Sequence, residues 1–339
     1  MPKVHFLNVG KGSCSIIQHG SGRVSMIDIY NGSPPEIQKL AESFSTDPFR
    51  DSAAAPRGDF KMRDHQTNPI EYLLEIGVPS VFRFILSHPD MDHMDGLKAL
   101  NDAITIQNFW DSGVRREKPQ FGDNCTYREE DWDQYESLCD GNSPGVTVVR
   151  PRSGSRFQFA NKGPQNDSED RGDYLTIVAP GTELVQSASE SGDANDASYV
   201  LVYRTCGGNI VFGGDAHDDT WDYILKNHRR DVENCAVLIA PHHGRDSDRR
   251  YDFLDVLAPK LTLFGCAPSA HLGYGAWSSR NLKIITNNQA GNIILNSEDG
   301  GISVCVENQK FAYNLKVYEP MDNGYYHIHS IAKPTMAMA

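Results

Sequence analysis

The chain of 339 residues contains no run of 18 consecutive apolar residues, and that absence excludes a membrane-spanning helix. Its opening, Met1-Pro2-Lys3-Val4-His5, lacks the basic and apolar blocks of a secretory signal. Positive charge is scarce, with 32 Lys and Arg against 45 Asp and Glu and a net charge of −13. A protein that coats nucleic acid through a general basic field is thereby excluded, although a local basic patch is not. Paired cysteines are missing as well. The seven, Cys14, Cys125, Cys139, Cys206, Cys235, Cys266 and Cys305, are odd in number, widely spread and form no C-x-x-C pair, which argues against a zinc ribbon or a disulfide framework. Cys235 and Cys266 fall within apolar runs, where a small buried thiol is the expected role. These absences lead us to expect a cytoplasmic protein with reduced thiols and no membrane contact.

What is present supports a substantial core. Hydrophobic residues make up 39% of the chain, enough for one large α/β sandwich or two small domains, of which we read one. Strands are expected at His5 to Gly10, Ser13 to Gln18, Arg23 to Ile29, Val81 to Leu86, Leu175 to Val178, Ser198 to Arg204, Ile210 to Phe212, Ala236 to Ile239, Leu261 to Phe264, Asn292 to Asn296 and Ile302 to Glu307. Helices are expected at Ile70 to Ile76, from Gly96-Leu97 onward, at Glu129 to Leu138 and at Thr220 to Asn227. Residues 44–69, rich in Pro, Ala and Gly, read as a loop that could overhang a site, and the polar stretch 111–172 as an insertion shaping a cleft. We take 1–315 as the domain and 316–339 as a C-terminal extension, partly disordered, in which His327 and His329 alternate as in a strand.

The strongest chemical signal is His88-Pro89-Asp90-Met91-Asp92-His93, placed directly after the apolar run Val81-Phe82-Arg83-Phe84-Ile85-Leu86. At this chain's composition, chance gives two His and two Asp at those positions with odds of roughly a few in a thousand. A tight loop between strand and helix can aim alternate side chains into one cavity, so that His88 and Asp90 face one cation while Asp92 and His93 face a second. Imidazole and carboxylate suit zinc, manganese or iron. The plainer alternative is a polar loop in which Asp90 or Asp92 caps the next helix. Two further apolar runs end in ligand-type residues: Asn209-Ile210-Val211-Phe212-Gly213-Gly214-Asp215 and Cys235-Ala236-Val237-Leu238-Ile239-Ala240-Pro241-His242-His243-Gly244. Asp215 could then bridge both ions and His242 complete the second site. Which of His242 and His243 binds metal stays open.

These segments resemble the metallo-β-lactamase fold, whose signature is H-x-H-x-D-H followed by a later Asp and a later His. The match looks closest to the hydrolase domain of ComEC-type competence proteins, which carry H-x-D-x-D-H as His88 to His93 do. Val4 to Ser13 resembles that group's opening strand ending in V-G-Q-G-D, Met26-Ile27-Asp28 its second strand, and Asn195-Asp196-Ala197-Ser198-Tyr199-Val200-Leu201 its N-x-x-S-x-V-L segment. Order and spacing hold over roughly residues 3–310. The chain departs from the pattern at Ser13 and Lys11, where the group has Asp and Gln. No His occupies the place between the two motifs where many metallo-β-lactamases have a third one, and Asn195 is the nearest substitute.

The resemblance implies an αββα sandwich, two mixed sheets packed together with helices on the outer faces, and a hydrolase using two divalent ions, Mn²⁺ or Zn²⁺. Asp90 in place of a His hardens the site and tilts it toward manganese. Asp92 would orient the nucleophile and His243 protonate the leaving group, while Asp28, with Asn195 and Ser198, would order the ligands by hydrogen bonds. Phosphodiester cleavage, with DNA as substrate, is the implied reaction, and Arg245, Arg249 and Arg250 are candidates to hold its phosphates. The alternative for those arginines is a solvated face beside Asp246 and Asp248. Alternative functions are hydrolysis of a small phosphodiester or ester, such as a cyclic nucleotide or a phosphocholine group, and a metal-stabilised interaction module.

Overall fold

A computed structural model of the chain describes residues 1–35, 60–123, 125–163, 172–247, 249–267, 269–316, 318–321 and 323–333. Sixteen strands lie among them: β1 Lys3–Phe6, β2 Ser15–Gln18, β3 Val24–Ile27, β4 Ser80–Ile85, β5 Thr105–Trp110, β6 Thr147–Val149, β7 Leu175–Ala179, β8 Val200–Thr205, β9 Gly208–Phe212, β10 Val237–Ile239, β11 Leu261–Phe264, β12 Ile284–Thr286, β13 Ile293–Glu298, β14 Gly301–Val306, β15 Glu319–Pro320 and β16 Tyr326–Ala332. They form a sheet in the order β15-β16-β14-β13-β1-β2-β3-β4-β5-β6 and a second in the order β12-β11-β10-β9-β8-β7. Both sheets are mixed. In the first, β3 to β6 run parallel and the rest antiparallel. In the second, β9 to β12 are parallel while β7 and β8 pair antiparallel.

Side-chain alternation sorts each strand between two apolar layers. Phe6, Ile17, Ile27 and Ile85 of the first sheet meet Leu201, Phe212, Ile239 and Leu263 of the second in the central layer. The opposite face of the first sheet packs Met26, Phe84 and Phe109 against Leu73, Leu100 and Leu138 of the helices Pro69–Glu75, Leu97–Ala103 and Glu129–Cys139. The opposite face of the second sheet packs Val202, Val211 and Leu238 against Leu184, Ile224 and Leu254, which belong to the helices Thr182–Ser191, Asp218–Asn227 and Phe253–Leu257. The result is the expected αββα sandwich. A fully buried Leu or Ile contributes about 1.5–3 kcal/mol by leaving water, so the three apolar layers together stabilise the sandwich.

Local sequence explains the helix starts. Asn68 accepts from Ile70 N at 3.1 Å, and Pro69 fills the first helical position where its missing N–H costs nothing. Glu129, Glu130 and Asp131 open the helix that ends at Cys139, complementing its dipole.

Two boundaries differ from the sequence reading. The polar stretch 111–172 contributes β6 to the first sheet, because Thr147–Val149 pairs in parallel with β5. The segment taken as a C-terminal extension supplies β15 and β16, and β16 pairs along β14 with Ile328 and Ile331 buried in the central layer. Of the loop expected at 44–69, residues 44–59 lie outside the described residues, as do 334–339 of the tail. No helix of the described residues is long and apolar enough to cross a membrane, and all seven cysteines are free.

Two histidines of the first sheet tie stability to pH. Burial pushes His5 down to about 4 and His19 down to about 3, from an ordinary value of 6.5. A folded-state value below the unfolded one means that the unfolded chain binds more protons as pH falls, so stability is present above pH 6.5 and is lost below it. Each histidine accounts for on the order of 3 kcal/mol across that window. Urea unfolding should therefore show stability dropping from pH 6.5 toward pH 4, and His5→Gln should make the slope shallower. An equal slope in the variant would remove His5 as a cause.

Candidate metal centre

The site lies where strands of both sheets end on one side of the sandwich. Past β4 the chain enters the segment from Ser87 to His93, past β9 it reaches Asp215, and past β10 it turns through His242 and His243. The backbone is forced at these turns. His242 and His243 adopt φ of 50° and 57°, and Asp28, just past β3, 58°. Left-handed conformations in residues with a Cβ cost on the order of 1–3 kcal/mol and gather at functional sites. Gly214 has φ +51°, and a Cβ there would lie 2.8 Å from Tyr199 O, so the turn that delivers Asp215 needs glycine. A Cβ on Gly12 would lie 2.0 Å from Asp92 O. That glycine lets the opening turn reach the ligand loop, where Ser13 N donates to Asp92 O at 3.4 Å.

Five side chains converge. His93 Nε2 is 3.4 Å from Asp215 Oδ1, and His88 Nε2 is 4.0 Å from Asp215 Oδ2. His243 Nε2 lies 3.8 Å from Asp215 Oδ2 and 3.6 Å from Asp92 Oδ2. Asp90 reaches the group from outside, with Oδ2 at 3.7 Å from His88 Nε2. Its other oxygen accepts a hydrogen bond from Arg116 Nη1. Nε2 of His88, His93 and His243 and Oδ1 of Asp215 are all buried and without a hydrogen-bond partner. Each such atom would cost on the order of 1–3 kcal/mol if it stayed unsatisfied.

Hydrogen bonds behind the cluster fix the imidazoles. Asp28 Oδ1 accepts from Ser87 N at 2.7 Å. Its Oδ2 accepts from Ser87 Oγ at 2.9 Å and from His93 Nδ1 at 2.8 Å. Ser87 Oγ is therefore free to accept from His88 Nδ1, 3.0 Å away. With protons on both Nδ1 atoms, both Nε2 lone pairs point into the cluster, the arrangement that metal-ligating histidines adopt. Ser198 Oγ accepts from Asp215 N at 3.2 Å. Asn195 sits in the turn Ala194–Ala197, its side-chain oxygen buried and unpaired.

Electrostatics follow from this crowding. Burial works against charge on Asp215, but the facing imidazoles of His93 and His243 hold its carboxyl well below the usual range. Burial likewise opposes a charged His93, yet Asp215 and Asp28 raise it well above its ordinary value. Burial would raise Asp90, while His88 and Arg116 bring it down to about 2. The anionic oxygens and the imidazoles thus hold positive charge among themselves, and a divalent cation can supply it in place of protons.

His242 is placed differently from its neighbour. Its side chain is 24% exposed against 4% for His243, and its Nε2 is 3.9 Å from Asp215 Oδ2. Its Nδ1 accepts from Arg249 Nη2 at 2.6 Å. Burial and Arg249, working against the pull of Asp215, lower it to about 4, so the imidazole is neutral near pH 7 with its proton on Nε2.

The candidate arginines separate. Arg249 Nη1 donates to Asp215 O at 3.2 Å and Ala216 O at 3.1 Å, so its guanidinium braces the turn. Arg250, exposed, pairs with Asp218 at 3.3 Å and Asp222 at 2.7 Å. Arg245 is half-buried, and its charge helps to hold the His242 pKa down. Sequence reading missed Ser87 and Arg116. Ser87 had a signal, since it directly precedes the first ligand-type residue. Arg116 had none, because it lies in a polar stretch remote in sequence. Another trio, Asp193, Asp196 and His217, stands apart, with His217 Nδ1 at 3.2 Å and 3.4 Å from the two carboxylates.

No protein-family model and no curated protein matches the sequence. Among solved structures the chain is similar to Igni18, a novel metallo hydrolase from the hyperthermophilic archaeon Ignicoccus hospitalis, at 12% identity over 87% of this chain and 100% of that one, with a TM-score of 0.46. It is similar to Tm1679, a metal-dependent hydrolase of the beta-lactamase superfamily, at 14% identity over 84% and 96%, TM-score 0.41. It is also similar to unliganded yeast PDE1, at 11% identity over 84% and 98%, TM-score 0.40.

Proposed function

We propose that the protein is a metal-dependent hydrolase acting on phosphodiesters. The observation that carries the reading is that four buried, unpartnered ligand atoms, on His88, His93, His243 and Asp215, lie in two overlapping clusters that share His93. Left to themselves these atoms pair only by holding protons between buried imidazoles and Asp215, and their chemistry fits a divalent cation in the place of those protons. His88, Asp90 and Asp215 would hold one ion, and Asp92, His93, Asp215 and His243 a second. This exchanges the roles that the sequence suggested for the paired histidines: His243 becomes the ligand and His242 the outer group.

When bound, the ions would lower the pKa of a water molecule and polarise the bond under attack. The chain's own residues do the rest. Asp28 and Ser87 keep the proton of His88 and of His93 on Nδ1, so neither ring can turn away. Ser13 N holds the backbone at Asp92, which fixes that carboxylate against His243. His242, pinned at Nδ1 by Arg249, offers its Nε2 proton from the half-buried edge of the cluster toward a leaving group. Motif order, with Asp90 in the second ligand position, favours the ComEC-type reading and DNA as the polymer. An acidic chain is equally suited to a small phosphodiester, and the interaction module is the reading that zero bound metal would leave.

Protein purified without a polyhistidine tag should contain up to two divalent ions by mass spectrometry and hydrolyse bis-p-nitrophenyl phosphate faster with manganese than with zinc, because Asp90 hardens the site. Zinc winning at matched occupancy would refute the preference, and absence of metal the enzyme. Asp92→Ala should abolish turnover with the thermal midpoint of the metal-free protein nearly unchanged.

The two histidines give a separate test. His243→Ala should lose bound metal, with affinity down at least tenfold, whereas His242→Ala should keep its metal and lose kcat. Metal loss in the His242 variant alone would restore the original order. Asp28→Ala, which frees both imidazoles, should weaken metal binding about 10–100-fold in a calorimetric titration.

A further inference from the structure

Any anionic substrate must approach a chain of net charge −13, and a cationic side chain at the mouth would help the cluster to receive it. Arg249 and Arg250 are engaged elsewhere, on backbone carbonyls and on Asp218 and Asp222, and Arg245 acts on His242 rather than on Asp90. We propose that Arg116 is the substrate-binding residue that takes a non-bridging phosphate oxygen, a proposal that rests on the phosphodiesterase reading and names its anion contact.

Three observations support it. Arg116 grips the outer oxygen of Asp90, whose inner oxygen faces His88 at 3.7 Å. The guanidinium is thus one carboxylate away from the cluster. Its side chain is 42% exposed, and only Nη1 is engaged among the described residues. Nε and Nη2 retain donors in the fork geometry that suits two phosphate oxygens. Lastly, the loop bearing it is anchored. Buried Asp111 accepts from Gly113 N at 2.9 Å, pairs with Arg115 at 3.0 Å and Arg150 at 2.9 Å, and its carbonyl takes Tyr199 Oη at 2.9 Å. Arg116 therefore stands on a braced base, which lowers the entropy lost on binding. Asp90 lies between the guanidinium and the cluster and offsets the repulsion, so a phosphate at the mouth can contact both the cluster and the free donors of Arg116.

The test uses the full-length, metal-loaded protein with Arg116→Gln and Arg116→Lys. Kinetics are compared on bis-p-nitrophenyl phosphate and on the neutral ester p-nitrophenyl acetate, alongside metal content and calorimetric binding of inorganic phosphate. Assayed at saturating metal, Arg116→Gln should raise the phosphodiester KM and the phosphate Kd about tenfold or more, while its KM for the neutral ester stays within twofold. Arg116→Lys, which keeps the charge but loses the fork, should fall between. Unchanged phosphate binding in Arg116→Gln would overturn the proposal. So would loss of metal, or an equal decline on both substrates, since Arg116 would then only hold Asp90. If the wild type hydrolyses neither substrate or only the ester, the phosphodiesterase reading fails by itself, and phosphate binding still decides for or against Arg116.

Discussion

Asp215 is the residue around which the rest of the structure is arranged. An aspartate only 4% exposed, with four imidazole nitrogens 3.4–4.0 Å from its carboxylate, is stable only if positive charge is shared among them. Everything near it serves that sharing. Ser198 holds its backbone N–H, Gly214 gives it a turn that no larger residue could follow, and Arg249 binds its carbonyl. The strain at Asp28, His242 and His243 is carried by the sandwich, whose central apolar layer over-determines where β3, β9 and β10 end.

Charge is distributed with the same economy. Among the described residues many arginines are paired with carboxylates: Arg83 and Arg23 share buried Asp173, Arg115 and Arg150 share Asp111, and Arg250 takes Asp218 and Asp222. The first two groups fasten parts of the stretch 111–173 to the first sheet and its surroundings. That stretch is polar in sequence because its work is ionic. It contributes one short strand, a helix packed on the outer face, and the arginine that meets Asp90.

Replacing an imidazole by Asp90 would leave the cluster with an extra negative charge. Arg116 balances that charge from outside, so the pair presents one inward oxygen with little net charge behind it. On this view the ligand loop and the insertion are one electrostatic unit, although 26 positions separate the two residues.

The sequence alone determined the elements and the donor types. Apolar runs ending in His88, Asp215 and the paired histidines are legible because a strand's period and its terminal residues are local properties. The αββα arrangement followed from their order, by resemblance. Only the tertiary structure decided which histidine of the pair turns inward, because that depends on two consecutive left-handed residues and on the place of Phe264 and Gly265 beneath them. It also decided that β16, read as part of a loose extension, completes the first sheet, since edge pairing depends on a partner strand and on burial of Ile328 and Ile331. The roles of Arg116 and Arg249 were invisible for the same reason. A guanidinium's partner is set by which chain segments fold past it, and no spacing along the sequence encodes that.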